Sequence, residues 1–342
     1  MKTVLFIDYI YQKGHINFNK IHIESLIKSG FDVKLVLHKK VAEQLPYSTA
    51  QYALVLPNWL CQKEKKPILN RLFFLIALLL IKIKINCNKY DYLVISSFEE
   101  ITLGLFPPAH KMFIICHGNI ENVYNKTKKI FLKKLSKKNV FVVFNNYIRN
   151  EYIKHGFNNV KIISHGCIKK ATIEKNGKKD SFVIFQPSDK LNDDFANHII
   201  KNKSFHIFIK KNNIKLILKS KKTYHSPCNN IEFINHFLTE QEYNNIFQYA
   251  DAILIAYPNN FNYRVSGVSY ECISYDKRIL VLQNNALNYC KDYYNYNPMF
   301  RSIKELSNTI ELLIHNSNKK CIANIEILKP DYNSIFKSCN FQ

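Results

Sequence analysis

Short apolar runs alternate with amphipathic stretches along the whole chain, and this rhythm constrains the fold more than any other feature. Alternation of this kind is the mark of parallel α/β sheets, in which each strand is followed by a covering helix. In the first half the runs predict strands at residues 3–7, 33–37, 52–56, 92–96, 112–116, 140–144 and 160–164, with helices between them, for example over 18–28 and 147–155. A second series predicts strands at 182–185, 215–218, 231–234, 252–256 and 279–282, closed by a helix over 303–314. Between the two, residues 166–180 are polar and show no sustained apolar pattern, which suits a linker. The expected organisation is α/β, with one doubly wound domain over 1–166, a linker over 167–180, a second domain over 181–318 and a closing segment over 319–342.

Composition narrows the class. With 47% apolar and 22% charged residues the chain reads as a packed globular protein. Its nine cysteines occur singly, with no C-x-x-C pair and no metal-ligand spacing, so reduced thiols and no metal are expected. Met1 is followed almost at once by the strand Val4-Leu5-Phe6-Ile7 and Asp8, too short for a signal-peptide core, and a cytoplasmic location is the expectation. Residues 72–81 are apolar throughout but number only ten, against about twenty for a spanning helix. They suit a core helix, or else an interfacial one.

The formal net charge is +23, and residues 1–166 hold 25 Lys and Arg against 10 Asp and Glu. Residues 126–138 contain seven lysines and no acid, interleaved with Ile130, Phe131, Leu132 and Leu135 at near-helical spacing. Such a face fits an anionic membrane surface and equally a solvated helix packed on its apolar side. Nucleic acid is the remaining partner for a basic chain. No zinc-finger spacing, RNP-like aromatic motif or helix-turn-helix pattern supports it, and none is expected.

The segment Tyr263-Arg264-Val265-Ser266-Gly267-Val268-Ser269-Tyr270-Glu271 reads as a loop opening a helix. An apolar run over 252–256 precedes it and another over 279–282 follows. Ser266 can cap the helix, Gly267 leaves the backbone open to close approach, and the dipole's positive end attracts a phosphate. Glu271 falls one turn further along the face of Gly267, at a reach that suits ribose hydroxyls. The same spacing also describes an ordinary capped helix.

This segment, continued by Asp276-Lys277-Arg278-Ile279-Leu280-Val281, resembles the donor-binding region of GT-B glycosyltransferases, especially glycosyltransferase family 4. The resemblance implies two facing Rossmann-like domains with a cleft between them, across which the C-terminal segment packs back. It further implies transfer of a sugar from a nucleotide diphosphate donor to a hydroxyl of a saccharide or polyprenyl-linked saccharide, with retention and without a metal. Bacterial O-antigen or capsule synthesis at the membrane is the expected setting. In the family's E-x7-E signature the second Glu holds the ribose, and Glu271 matches it; the first position is Tyr263, a departure. The family's diphosphate cations would correspond to Lys190 after the first strand of the second domain and Lys219 after the next, with Arg264 as an addition. The backbone of Asn235-His236-Phe237 falls where relatives contact the base. In the first domain Gly14 and His15 match the loop near the donor phosphates, His117 matches a histidine that touches the donor sugar, and His165-Gly166 resembles a hinge.

No D-x-D, P-loop or G-x-G-x-x-G pattern is present, so nucleotide-sugar chemistry without further cofactor is expected. In a retaining reaction the leaving phosphate can take the acceptor's proton. An inverting one would need a base from His15, Glu99, Glu100 or His117. A noncatalytic GT-B protein that binds a sugar nucleotide or a partner stays open, because Tyr263 replaces an acid.

Overall fold

The computed structural model describes residues 1–10, 15–63, 66–167, 180–316 and 329–338. The chain divides into two compact units, one of residues 1–166 with 327–342 and one of residues 167–326. Of the expected linker, residues 168–179 lie outside the described residues.

In the first unit the elements run β1 (Thr3–Asp8), α1 (His15–Lys28), β2 (Asp32–His38), α2 (Lys39–Ala42), β3 (Tyr52–Leu56), α3 (Pro67–Lys84) and β4 (Tyr92–Ser97). They continue as α4 (Glu100–Leu105), β5 (Phe113–Ile115), α5 (Lys126–Ser136), β6 (Val140–Val143), α6 (Asn146–Lys154) and β7 (Val160–Ile162). The seven strands form one parallel sheet in the order β3-β2-β1-β4-β5-β6-β7. Strands β1, β4, β5 and β6 are buried along nearly their whole length, which is why they read as unbroken apolar runs.

The second unit runs β8 (Phe182–Gln186), α7 (Asp193–Lys201), α8 (Lys203–Lys211), β9 (Ile214–Lys219), β10 (Ile231–Ile234), α9 (Glu240–Tyr249) and β11 (Ala252–Ile255). It closes with α10 (Gly267–Ser274), β12 (Arg278–Leu282), β13 (Met299–Phe300) and α11 (Ile303–His315). Its sheet is parallel too, ordered β10-β9-β8-β11-β12-β13. Strand β13 was not expected: it pairs only Met299 and Phe300 with Val281 and Leu282, and two residues leave no periodicity to read. Both sheets follow the doubly wound order 3-2-1-4-5-6, in which ligands bind outside the strands' carboxyl ends where the order reverses. Those switch points lie between β1 and β4 and between β8 and β11.

Helix α12 (Tyr332–Lys337) belongs to the first unit, where Tyr332, Ile335 and Phe336 are buried and Phe336 stacks on Tyr92 at 4.0 Å. Each such apolar side chain contributes on the order of 1.5–3 kcal/mol by leaving water. The expected core helix over 72–81 lies inside α3, which buries Phe74, Ala77, Leu78 and Ile81 but leaves Leu72 and Leu79 on an outer face. No helix among the described residues is long and apolar enough to cross a membrane.

Candidate functional site

In the second unit the segment between β11 and α10 is held from beneath. Ser266 is buried and caps α10, its Oγ accepting from Ser269 N at 3.2 Å and meeting Tyr257 Oη at 2.9 Å. Ser269 Oγ donates to Ser266 O and is bonded in turn to Tyr289 Oη at 2.6 Å. Burial raises the pKa of both tyrosines, to about 12 for Tyr257, so they remain protonated donors. Above this base Gly267 is exposed, and nothing stands within 4 Å of the place a Cβ would occupy. The first turn of α10 carries no acid, and Val268 is half-buried beside Gly267. The segment is thus a capped helix start with an open backbone and a positive dipole end.

Glu271 is half-buried, and its Oε2 accepts from Tyr243 Oη of α9 at 2.7 Å. Burial first and the neighbouring carboxylate second push the Tyr243 pKa up strongly, so the phenol stays a donor. Tyr263 is half-buried and Arg264 exposed on the approach to the cap. Lys219 ends β9 and donates to the carbonyl of His236 at 3.2 Å, which ties it to the expected base-contacting backbone. Lys190 is exposed in the loop after β8. That loop is fixed by Gln186, fully buried, which donates to Ser188 O and Lys219 O and accepts from Ser188 N. Lys190, Lys219 and the α10 start therefore share the carboxyl edge of one sheet, Lys190 and α10 following β8 and β11, the two strands that flank its switch point. A cavity of about 610 Å³ at the same edge, over β12 and β13, is lined by Asn192, His198, Asn259, Gln283, Arg301 and Ser302 among others, and by none of the residues predicted to bind donor.

In the first unit four histidines gather around Phe18 and Phe144. His15 and His117 rings lie 4.4 Å apart, and Phe18 sits 4.5 Å from His117, 4.0 Å from His22 and 5.0 Å from His165. Carbonyl partners fix the tautomers, because a carbonyl only accepts. His117 donates from Nε2 to Ser96 O at 3.0 Å, and His22 from Nε2 to His165 O at 3.1 Å. His22 Nδ1 then accepts from Tyr332 Oη at 2.7 Å. Desolvation lowers all four pKa values, well below the usual range for His117, to about 3 for His22 and to about 4 for His165. Nearby imidazoles add repulsion at His117, so the cluster is neutral at physiological pH. Gly14 lies outside the described residues.

Beside these rings is a network that no local pattern announced. Asp8, at the end of β1, is buried and accepts from Asn19 Nδ2 and Ser97 Oγ, both at 2.6 Å. Asn19 accepts in turn from Ser96 Oγ, whose own carbonyl holds His117. The network spans the switch point between β1 and β4.

Three sequence expectations are corrected. Glu99 caps α4 through Thr102 N and pairs with Arg71 at 3.0 Å, so it serves structure rather than a base's role. Glu100 is likewise committed: it is 1% exposed, accepts from Asn119 and Asn122, and pairs with Lys128 at 3.2 Å. Lys128 is therefore not part of a solvated lysine face. Lys126, Lys133, Lys134, Lys137 and Lys138 are exposed.

No family model matches the sequence, and no curated protein matches it. Among solved structures the chain is similar to Anabaena HepE, determined in complex with UDP and glucose, with a TM-score of 0.58 at 12% identity over 99% of this chain and 95% of that one. It is also similar to WaaG, a glycosyltransferase involved in lipopolysaccharide biosynthesis, with a TM-score of 0.51 at 13% identity over 92% and 91% of the two chains. A UDP-N-acetylglucosamine 2-epimerase is a third, with a TM-score of 0.54 at 10% identity over 97% and 92%. At these identities the likeness is one of fold. The chain has the α/β architecture of GT-B glycosyltransferases, two Rossmann-like sheets in sequence.

Proposed function

We propose that this protein is a glycosyltransferase that takes a sugar from a nucleotide diphosphate and passes it to a hydroxyl of a saccharide or lipid-linked saccharide. The observation that carries the reading is the buried Ser266 cap beneath an open Gly267, at the carboxyl edge of a sheet in Rossmann order. A diphosphate on this helix start gains about 0.3–1 kcal/mol from the dipole when exposed and up to ~2 when partly buried. Arg264, Lys190 and Lys219 would neutralise its remaining charge as the bond to the sugar breaks, and Glu271 would accept from the ribose. His117 commits its Nε2 proton to Ser96 O and is neutral, so its Nδ1 would offer a hydrogen-bond acceptor to a sugar hydroxyl. Such a site needs no protein base if the leaving phosphate takes the acceptor's proton, which is the retaining course.

Surface polysaccharide synthesis, O-antigen or capsule, is the setting we infer. The excess of 25 basic over 10 acidic residues in positions 1–166 suits a peripheral place on an anionic membrane, with the exposed lysines of α5 as contacts. A second reading rests on Tyr263, which stands where the family signature has an acid: a protein that binds sugar nucleotides without turning them over.

A thermal-shift panel of nucleoside diphosphates and their sugars, followed by assay of nucleotide release with saccharide acceptors, tests both readings. A ligand at a hundred times its Kd adds about 2.7 kcal/mol of stability. Stabilisation with turnover supports transfer, and stabilisation without turnover across acceptors supports the binder. No stabilisation by any nucleotide removes both.

A further inference from the structure

The helical layer of the first unit carries a surface that sugar transfer does not use. Right-handed crossovers from β3 to β4, β4 to β5 and β5 to β6 all advance in one direction, which puts α3, α4 and α5 on one face of the sheet, with α4 packed between the other two. On α3, Ile68 is 84% exposed, Leu72 52%, Leu79 39% and Ile83 79%. Their spacings of four, seven and four residues make one stripe along an 18-residue helix, opposite the buried Phe74, Ala77, Leu78 and Ile81. Leu105 at the end of α4 and Ile130 on α5 are exposed on the same helical layer. Trp59, also exposed, lies edge-on to Phe73 of α3 at 6.0 Å. A water-facing apolar area of this kind marks an interaction site.

Charge selects the occupant. Neither α3 nor α5 contains an acidic residue, while exposed Lys82 and Lys84 sit in the last turn of the first and exposed Lys126, Lys133 and Lys134 on the second. A second copy seated on this face would set lysines against lysines. A bilayer with anionic headgroups satisfies both features, taking the stripe at the acyl boundary and the cations at the phosphates. We propose that α3 is an interfacial helix that lies in the surface of an anionic bilayer, burying Ile68, Leu72, Leu79, Ile83 and Trp59. The exposed lysines of α5 meet headgroups beside it. This deepens the peripheral-membrane part of the proposed function and rests on it, adding the element that inserts.

Trp59 is the only tryptophan of the chain, so its emission reports on the flank of α3 where it meets Phe73. The full chain is mixed with vesicles of phosphatidylcholine, with or without phosphatidylglycerol, and with the same lipids brominated in their acyl chains. The expected result is a blue shift and bromine quenching with the anionic vesicles. The triple variant Ile68→Gln, Leu72→Gln, Ile83→Gln, changed only at exposed positions, should lose both signals and bind at least about tenfold more weakly. Co-sedimentation of the native chain with unchanged Trp59 emission would overturn insertion while leaving electrostatic attachment standing. Failure to sediment with anionic vesicles at low salt removes both. Native self-association in sedimentation velocity that the triple variant abolishes would assign the stripe to a second copy and overturn the proposal as well.

Discussion

Tyr243 Oη donates to Glu271 Oε2 at 2.7 Å, joining α9 to α10 across 28 residues of sequence. The bond orients a carboxylate one turn behind the helix start where a diphosphate would sit. A hydrogen bond to a charged group contributes about 1.5–3 kcal/mol, so Glu271→Ala is expected to weaken nucleotide diphosphate binding by roughly 10- to 150-fold. Tyr243→Phe keeps the carboxylate and loses only its orientation, for which a loss of a few fold is expected. Calorimetric titration of both variants measures this. Native affinity in a folded Glu271→Ala protein would take the residue out of the site.

His117 is expected to act on the sugar and not on the nucleotide. His117→Ala should lower turnover while free nucleoside diphosphate binds almost as before. The variant also vacates ring contacts with His15 and Phe18, so its melting temperature is measured alongside. Equal loss of turnover and nucleotide affinity would assign His117 to a different task.

Acid should destabilise the first unit through His22. In the unfolded chain this residue takes a proton near pH 6.5, whereas in the fold it does so only near 3, because burial disfavours the charge. Between those values the unfolded state binds more protons. Stability is therefore fully present above about pH 6.5 and falls with pH through the window, by about 1.4 kcal/mol per unit for this one group. His22→Gln removes the titration, and its unfolding free energy should depend less steeply on pH between 6 and 5 by about that slope. Identical slopes for the two proteins would show that His22 charges freely in the fold.

Gly166 and Gly267 should respond in opposite ways to the same methyl group. Gly166 has φ +77°, and a Cβ there would run into the Ile21 side chain and the ring of Pro330, so Gly166→Ala is expected to cost about 1–3 kcal/mol. At Gly267 a Cβ meets nothing, and Gly267→Ala should change stability by no more than about 1 kcal/mol. Its effect should appear as weaker diphosphate binding, where backbone and ligand come close. Denaturant melts paired with nucleotide titrations separate the two. Unaltered nucleotide affinity in Gly267→Ala would count against the helix start as the anion site.

The fold was legible because its strands are buried on both faces and so stand out as apolar runs. Strand β13 escaped for want of length. The Ser266 cap was legible as well, since its partner Ser269 lies three residues away. What surrounds the cap was not: Tyr257 and Tyr289 approach it across the tertiary fold, as Tyr243 approaches Glu271. The Asp8 network hid for the same reason, because Asp8 and Ser97 are 89 residues apart. Glu99 and Glu100 misled in the converse sense, since free carboxylates and carboxylates committed to a cap or to a half-buried lysine look alike in a sequence.

Helix α12 has a consequence for how the chain matures. Residues 1–166 leave the ribosome long before residues 332–337, yet His22, Phe31, Tyr92 and Phe113 complete their packing only against Tyr332 and Phe336. The unit that is synthesised first is thus finished last. Until residues 332–337 arrive, Phe31, Tyr92 and Phe113 lack the ring that Phe336 packs against them.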